Sequence, residues 1–339
     1  MELPVEDLEL VHALQIAPRA TWTQLGAALG RHPTTLAGRW ERLRAEGRTW
    51  VTGHLGTSGT RGCATFIGLE CRPGHREEVL RRLCASPEIS TVEESARAWD
   101  VRLTVLTRDW QQMTRDVLPL VRADPAILRS RVTVATRLYA IGSNWRLDVL
   151  TPEQQRRVAQ LRGGPERPHG AVPPHLEELT AVLQRDGRAT AAQVAAATGT
   201  HPTTAARHLR QAVGTGLVAV RCELAQEHSG HPVPCQWYVR VPPAQLEAAV
   251  RYLRSYRTLR LCASTTGDTN LTFLLWLRTP GEILEVEAGL QAAAPGVQVV
   301  ESDVGVRTHK RMGWMLRDDS TATGEVVVRG GEPAPPKGR

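Results

Sequence analysis

The residues best equipped for chemistry come in two matching sets. Gly30-Arg31-His32-Pro33-Thr34-Thr35 recurs as Gly199-Thr200-His201-Pro202-Thr203-Thr204, an offset of 169 residues from His32 to His201. Proline suits the first turn of a helix, where its missing N–H has no intrahelical partner to lose. The Thr hydroxyls and the free N–H groups of that turn then face outward, a ready contact for phosphate. Behind them, Arg39 and Arg42 share a helical face with Thr35; the same positions in the second set are His208 and Gln211, next to Arg207 and Arg210. A guanidinium can take a phosphate or fork onto a guanine edge. Thr34, Thr35, Arg39 and Arg42, with Thr203, Thr204, Arg207, His208 and Arg210, are therefore the expected contacts to double-stranded DNA. His32 and His201 have no acid or nucleophile beside them, so a capping or phosphate role is expected and no catalytic residue is assigned.

Composition agrees with an anionic partner: net charge is +7 with a pI near 9.5, carried mostly by Arg. Cys63, Cys71, Cys84, Cys222, Cys235 and Cys262 form no C-x-x-C pair, so zinc-ribbon and thioredoxin chemistry lack support and small buried roles are expected. His228, His231 and Cys235 lie in a Gly/Pro-rich connection with no fourth ligand nearby, and no metal site is assigned. The acidic stretch from Met1 to Asp7 has neither a basic n-region nor an apolar h-region, and the longest apolar run, Phe273 to Leu277, is far too short to span a bilayer. The expected location is the cytoplasm, away from membranes.

The elements that must position the two sets follow from periodicity. Leu8, Val11 and Leu14 mark a first helix ended by Pro18; Thr21 caps a second, closed by Gly30; and Leu36, Trp40 and Leu43 make the core stripe of a third, stopped by Gly47. A β-rich run, Thr49 to Thr52, follows. Three short helices with a tight turn and a β segment describe a winged helix-turn-helix, residues 1–55. Residues 61–145 then read β-α-β-β-α-β, with strands near Cys63 to Cys71, Ile89 to Ala96, Val101 to Leu106 and Ile127 to Tyr139, and helices at Pro73 to Ala85 and Trp110 to Val121. That order is the ferredoxin-like unit. A linker, 146–172, contains one short helix starting at Thr151-Pro152-Glu153. The second copy repeats the plan, with a helix-turn-helix over 173–224 and a ferredoxin-like unit over 232–316. The tail, 317–339, is rich in Gly, Pro and charge and is expected to be disordered apart from a strand at Val326 to Val328. The fold class is thus α+β, a duplicated domain pair.

Helix-turn-helix followed by βαββαβ resembles the Lrp/AsnC (feast/famine) transcription regulators. Further marks are Ala98-Trp99-Asp100-Val101-Arg102-Leu103-Thr104-Val105, similar to the family's G-x-Y-D-x-x-L-x-V, the second copy's Gly267-Asp268-Thr269-Asn270-Leu271, and the closing Thr308-His309-Lys310-Arg311-Met312-Gly313. The resemblance covers residues 5–145 and 173–316. It implies RAM-type domains that pair and hold a small effector, often an amino acid, near the loops carrying Trp99 and Asp100 and Gly267, Asp268 and Asn270. Copy one departs from the pattern at Ala98-Trp99 and copy two at Thr269-Asn270. The chain is expected to form a homo-oligomer or to pair its own two domains, the linker being long enough for either. Siroheme decarboxylases are similar in using the same two-domain fold as a pair. The candidates for such chemistry, His228, His231, Arg240 and His309, are dispersed while the basic helices are kept, so the expectation is a regulator, not an enzyme, with no cofactor.

Overall fold

The computed structural model describes residues 3–56, 62–97, 99–142, 145–162 and 172–329. The first half runs α1 (Val5–Ile16), α2 (Trp22–Leu29), α3 (Pro33–Ala45), β1 (Thr49–Leu55), β2 (Cys63–Cys71), α4 (Arg76–Ala85), β3 (Thr91–Ser95), β4 (Val101–Thr107), α5 (Trp110–Gln112), α6 (Leu118–Arg122) and β5 (Ile127–Ala140). The single helix expected over Trp110 to Val121 is interrupted by a π-helical stretch, Met113–Val117. A linker helix, α7 (Pro152–Gln160), leads to α8 (Leu176–Arg185), α9 (Ala191–Thr198), α10 (Pro202–Gly214), β6 (Val218–Leu224), β7 (Val233–Arg240), α11 (Leu246–Leu253), β8 (Leu259–Thr265), β9 (Leu271–Leu277), α12 (Glu282–Ala293) and β10 (Gln298–Arg311). Two short strands, β11 (Trp314–Leu316) and β12 (Ala322–Val326), follow.

Local chemistry sets the head helices. Thr21 and Thr190 each cap a helix in a reciprocal box with Gln24 and Gln193, satisfying two otherwise orphaned N–H groups. Gly30 and Gly199 end those helices at φ +67° and +63°, the left-handed turn that glycine adopts without strain. Leu36, Trp40 and Leu43 are buried as their spacing predicts, and Trp22 packs 6.2 Å from Trp40.

The two heads meet around an internal pseudo-twofold axis. β1 and β6 form an antiparallel ribbon in which Thr52 faces Arg221, its own counterpart in the repeat. Arg19 donates to the carbonyls of Gly187 and Ala189; Arg188, its counterpart, donates to those of Pro18 (2.7 Å) and Ala20 (2.8 Å). Such reciprocity is the mark of an isologous interface, here made within one chain.

The same exchange merges the two β-rich units. β5 pairs with its own β2 and with β8 of the other half; β10 pairs with its own β7 and with β3 of the other half. The result is one closed ring of eight antiparallel strands, β3-β4-β2-β5-β8-β9-β7-β10, where two separate sheets had been expected. Closure removes the free sheet edges that each half alone would expose. Alternate strand residues point outward to helices and build two apolar cores, one around Leu69, Leu83 and Leu103 and one around Trp237, Leu253 and Phe273. Lys310 on β10 ties the halves further: its buried ammonium donates to the Leu83, Cys84 and Ser86 carbonyls at the end of α4, 2.8 to 3.1 Å away.

The tail departs from expectation. Trp314 stacks on Trp50 (5.7 Å), and Leu316 and Ala322 complete a small core beneath the head ribbon. Ala322 donates to the Gly47 carbonyl (2.7 Å), and Arg329 reaches Glu88 and Asp116. Residues 317–329 are thus packed, because apolar positions scattered among Gly and charge find a tertiary partner that composition does not reveal; residues 330–339 lie outside the described part.

Candidate nucleic-acid interface

The first turns of α3 and α10 are open. His32, Thr34 and Thr35 are exposed, as are His201, Pro202 and Thr203, while Thr204 is half-buried. Each His ring leans on a Thr two residues on: His32 Nδ1 lies 2.7 Å from Thr34 Oγ1, and His201 Nδ1 lies 3.0 Å from Thr203 Oγ1.

The faces behind those turns differ for a structural reason. Arg39 and Arg42 both bind Asp7 of α1, at 2.8 and 2.6 Å, and Asp7 is fully buried. The repeat offset puts Leu176 where Asp7 stands, and His208 and Gln211 where the two arginines stand. All three members of the triad were exchanged together. His208, expected on the reading face, is buried, since without the ion pair that position turns into the head core. Arg207 and Arg210 are exposed, and Arg210 stands where the first head has the exposed Glu41.

The loops expected near an effector perform backbone work as well. Asp100 Oδ2 accepts the Cys71 N–H (2.7 Å); its counterpart Asn270 accepts the Val241 N–H and donates to the Val241 carbonyl, both at 2.8 Å. Arg240 donates to the Asp268 carbonyl from Nε (2.9 Å) and Nη2. Gly267, at φ +106°, has open space where a Cβ would stand. Trp99 is different: it is buried on Gly68, where a Cβ would come within 2.7 Å of the indole, and Arg129 and Arg131 each sit 5.0 Å from its ring. Asp100 borders a cavity of about 330 Å³ with Arg72 and Arg76. Ala98 lies outside the described residues.

An ionic joint between heads and barrel has no precedent in the motifs. Glu223 on β6 is fully buried and takes Arg221 (2.6 Å) and Arg260 of β8 (2.8 Å), with Arg311 of β10 adding charge. Burial alone would raise its pKa; the three guanidinium groups outweigh that and hold it at about 2. Arg260 also lies 4.1 Å over the Trp276 ring. The one sequence signal was the unusual share of Trp and Arg.

The tetrapyrrole candidates occupy separate elements. His309 on β10 pairs with Glu94, His231 Nδ1 lies 2.9 Å from the Ser229 carbonyl oxygen, Arg240 holds Asp268, and His228 ends a 3-10 turn. Among the described residues no group of three or more His, Cys, Asp or Glu is placed to hold a metal, and no helix is long and apolar enough to cross a membrane. The six thiols are unpaired, and burial pushes those of Cys222, Cys235 and Cys262 up to about 12, so they stay protonated.

Neither a protein-family model nor a curated protein matches the sequence. Among solved structures, the siroheme decarboxylase NirDL superposes with a TM-score of 0.53 at 15% identity, over 90% of this chain and 93% of that one, as does its co-complex with an iron-uroporphyrin III analogue. E. coli AsnC (TM-score 0.34, 15% identity) and a feast or famine regulatory protein from M. tuberculosis complexed with L-methionine (0.36, 20%) each match over 40% of this chain and 94% and 91% of theirs. Identity this low speaks to the fold alone: over 90% of its length the chain shares the fold of NirDL. The expectation that it is not an enzyme is therefore corrected, because the structure matching nearly the whole chain is an enzyme's. One ground for that expectation was the kept basic helices, and the first of these has Arg39 and Arg42 bound to Asp7.

Proposed function

We propose that the chain is a DNA-binding transcription regulator of the Lrp/AsnC type whose two winged helix-turn-helix heads act as an unequal pair over two fused ferredoxin-like units. The observation that carries this reading is the pseudo-twofold head pair presenting two open helix N-termini, one of them backed by exposed Arg207 and Arg210. The N–H groups and Thr hydroxyls of both first turns would meet phosphate, and the second head would supply the free guanidinium groups for base edges. The half-sites are then imperfectly palindromic and spaced by about one helical turn or a multiple of it. A small effector, such as an amino acid, would act at the loops of Trp99 and Asp100 and of Gly267, Asp268 and Asn270, with the indole reshaping the first of these.

Selection of bound fragments from genomic DNA tests the reading. The double variant Arg207→Ala, Arg210→Ala should lose specific retention, and the slope of log affinity against log salt should shallow by about one for each phosphate contact removed. Unchanged retention, or equal affinity of both heads for one symmetric half-site, overturns it.

A second reading, an enzyme acting on a siroheme-like tetrapyrrole, is favoured by the match over nearly the whole chain to a siroheme decarboxylase. Absorbance of siroheme on mixing, followed by carbon dioxide release, distinguishes the two: turnover that survives loss of DNA binding favours the enzyme.

A further inference from the structure

The two heads rest on the barrel through joints that the repeat makes equivalent, and only one joint is filled. At the first head the linker bridges α1 and β9. Trp145 packs on Trp276 (5.1 Å), the Leu147 N–H donates to Gln15 (2.8 Å), and the Leu150 N–H donates to His12 (3.2 Å). Arg260 lies 4.1 Å over the same Trp276 ring. Offsets of 169 residues for the heads and 170 for the strands carry His12, Arg260 and Trp276 onto Ala181, Ser90 and Leu106. All three replacements are smaller. Trp314, the counterpart of the linker's Trp145, stacks on Trp50 and leaves the joint. What remains between α8 and the barrel is a cavity of about 90 Å³, with Ala181, Ser90 and Leu106 all on its wall.

The second head cannot settle onto the barrel to close this space. The β1–β6 ribbon and the Arg19 and Arg188 bonds hold it to the first head, and the packed Trp145 joint holds the first head to the barrel. A void that its surroundings cannot collapse leaves the contacts of its lining unmade. The charges on the wall are already matched, Arg108 with Glu177 and Arg329 with Glu88 (2.7 Å). A charged guest would lose water and find no partner. Leu55, Pro87 and Met312 extend the apolar wall, and the half-buried Ser90 hydroxyl makes no hydrogen bond among the described residues. A cavity of about 150 Å³ takes a ring of six carbons, so this one suits about four or five heavy atoms.

We infer that this joint binds a small uncharged molecule with a branched apolar body and one hydroxyl, the hydroxyl on Ser90. Bound there, it does for the second head what the linker does for the first, joining α8 to the barrel across the equivalent surfaces. The inference stands apart from what the heads, or the loops at Trp99 and Gly267, bind.

The full chain with carbon-13 methionine methyl groups supplies the test, because Met312 borders the cavity and Met113 is buried in the separate core of the first ferredoxin-like unit. Titration with 2-methylpropan-1-ol should shift the Met312 signal saturably and leave Met113 in place. Isobutyrate and isobutylammonium, alike in shape but charged, should bind at least about tenfold more weakly. Ala181→Leu, which fills the space, and Leu106→Trp, which copies the other joint, should each abolish the shift. Ser90→Ala should weaken binding about threefold or more, and Ala197→Leu on exposed α9 surface should leave it unchanged. If one filling variant fails to fold, the other and Ser90→Ala carry the test. No saturable Met312 shift, isobutyrate as tight as the alcohol, or a shift indifferent to the filling variants overturns the inference.

Discussion

Asp7 shows how much one residue can redirect an interpretation. It reads as an ordinary acid in the first turn of a helix, favourable to the helix dipole, and nothing local links it to arginines more than thirty residues on. In the fold it is fully buried, while Arg39 and Arg42 keep 31% and 45% of their side-chain surface exposed. The costs of breaking the triad should therefore be unequal. Asp7→Leu frees two cations that can reach water and should cost only about 1 kcal/mol; Arg39→Ala with Arg42→Ala strands a buried carboxylate and should cost about 3 kcal/mol. Denaturant midpoints check this, and equal losses would show that the triad is not what holds α1 to α3. The set Asp7→Leu, Arg39→His, Arg42→Gln, which copies the second head, should recover most of the stability. A second residue-scale expectation concerns acid. Burial, aided by Arg146, lowers His12 to about 4, and burial with Arg221 does the same to His54, from an ordinary 6.5. As pH falls from 6.5 to 4 the unfolded chain takes up protons that the folded chain refuses, so stability drops through that window. His12→Gln, which keeps an acceptor for the Leu150 N–H, should flatten that drop in thermal melts at stepped pH; an unaltered slope would exclude His12 as a source.

Legibility differed by element. The head helices were readable because their caps, stripes and stops are local and occur twice. The tail was not, because Trp314, Leu316 and Ala322 acquire meaning only against Trp50, more than two hundred residues earlier. Strand alternation likewise showed that one face of each strand is buried without showing which strand lies beside it, so the crossed seams were invisible. The tail now carries a prediction. Removing residues 313–329 should uncover Trp50, which is 1% exposed, shifting tryptophan emission to the red and lowering the melting temperature of the head ribbon. Emission unchanged by the truncation would mean that the ribbon shields Trp50 without the stack. Of the candidate site, the open helix starts were legible and the neutralised first face was not, since the first depends on sequence and the second on packing.

At the scale of the molecule, contacts of the kind a symmetric dimer makes between chains are internal ones. Arg19 and Arg188 answer one another, Thr52 faces its counterpart Arg221, and each half lends its last strand to the other's sheet. Covalent linkage frees the two copies to diverge, because a change on one side need no longer suit both. The triad at Asp7 and the indole at Trp99 lie on the first copy's side of that divergence, and the ion pair of Arg102 with Asp303 joins the two halves. If the interface, and not the linker, holds the halves together, a protease site introduced between residues 162 and 172 should be cut without separating them. The two fragments should run together on size exclusion at the intact mass and part only in denaturant, since each would otherwise expose two long sheet edges. Fragments that separate in native buffer would mean that the linker supplies effective concentration the seams require. In that case the head pair would be held in register by the chain connection, and the spacing of the proposed half-sites would follow the linker and not the ribbon.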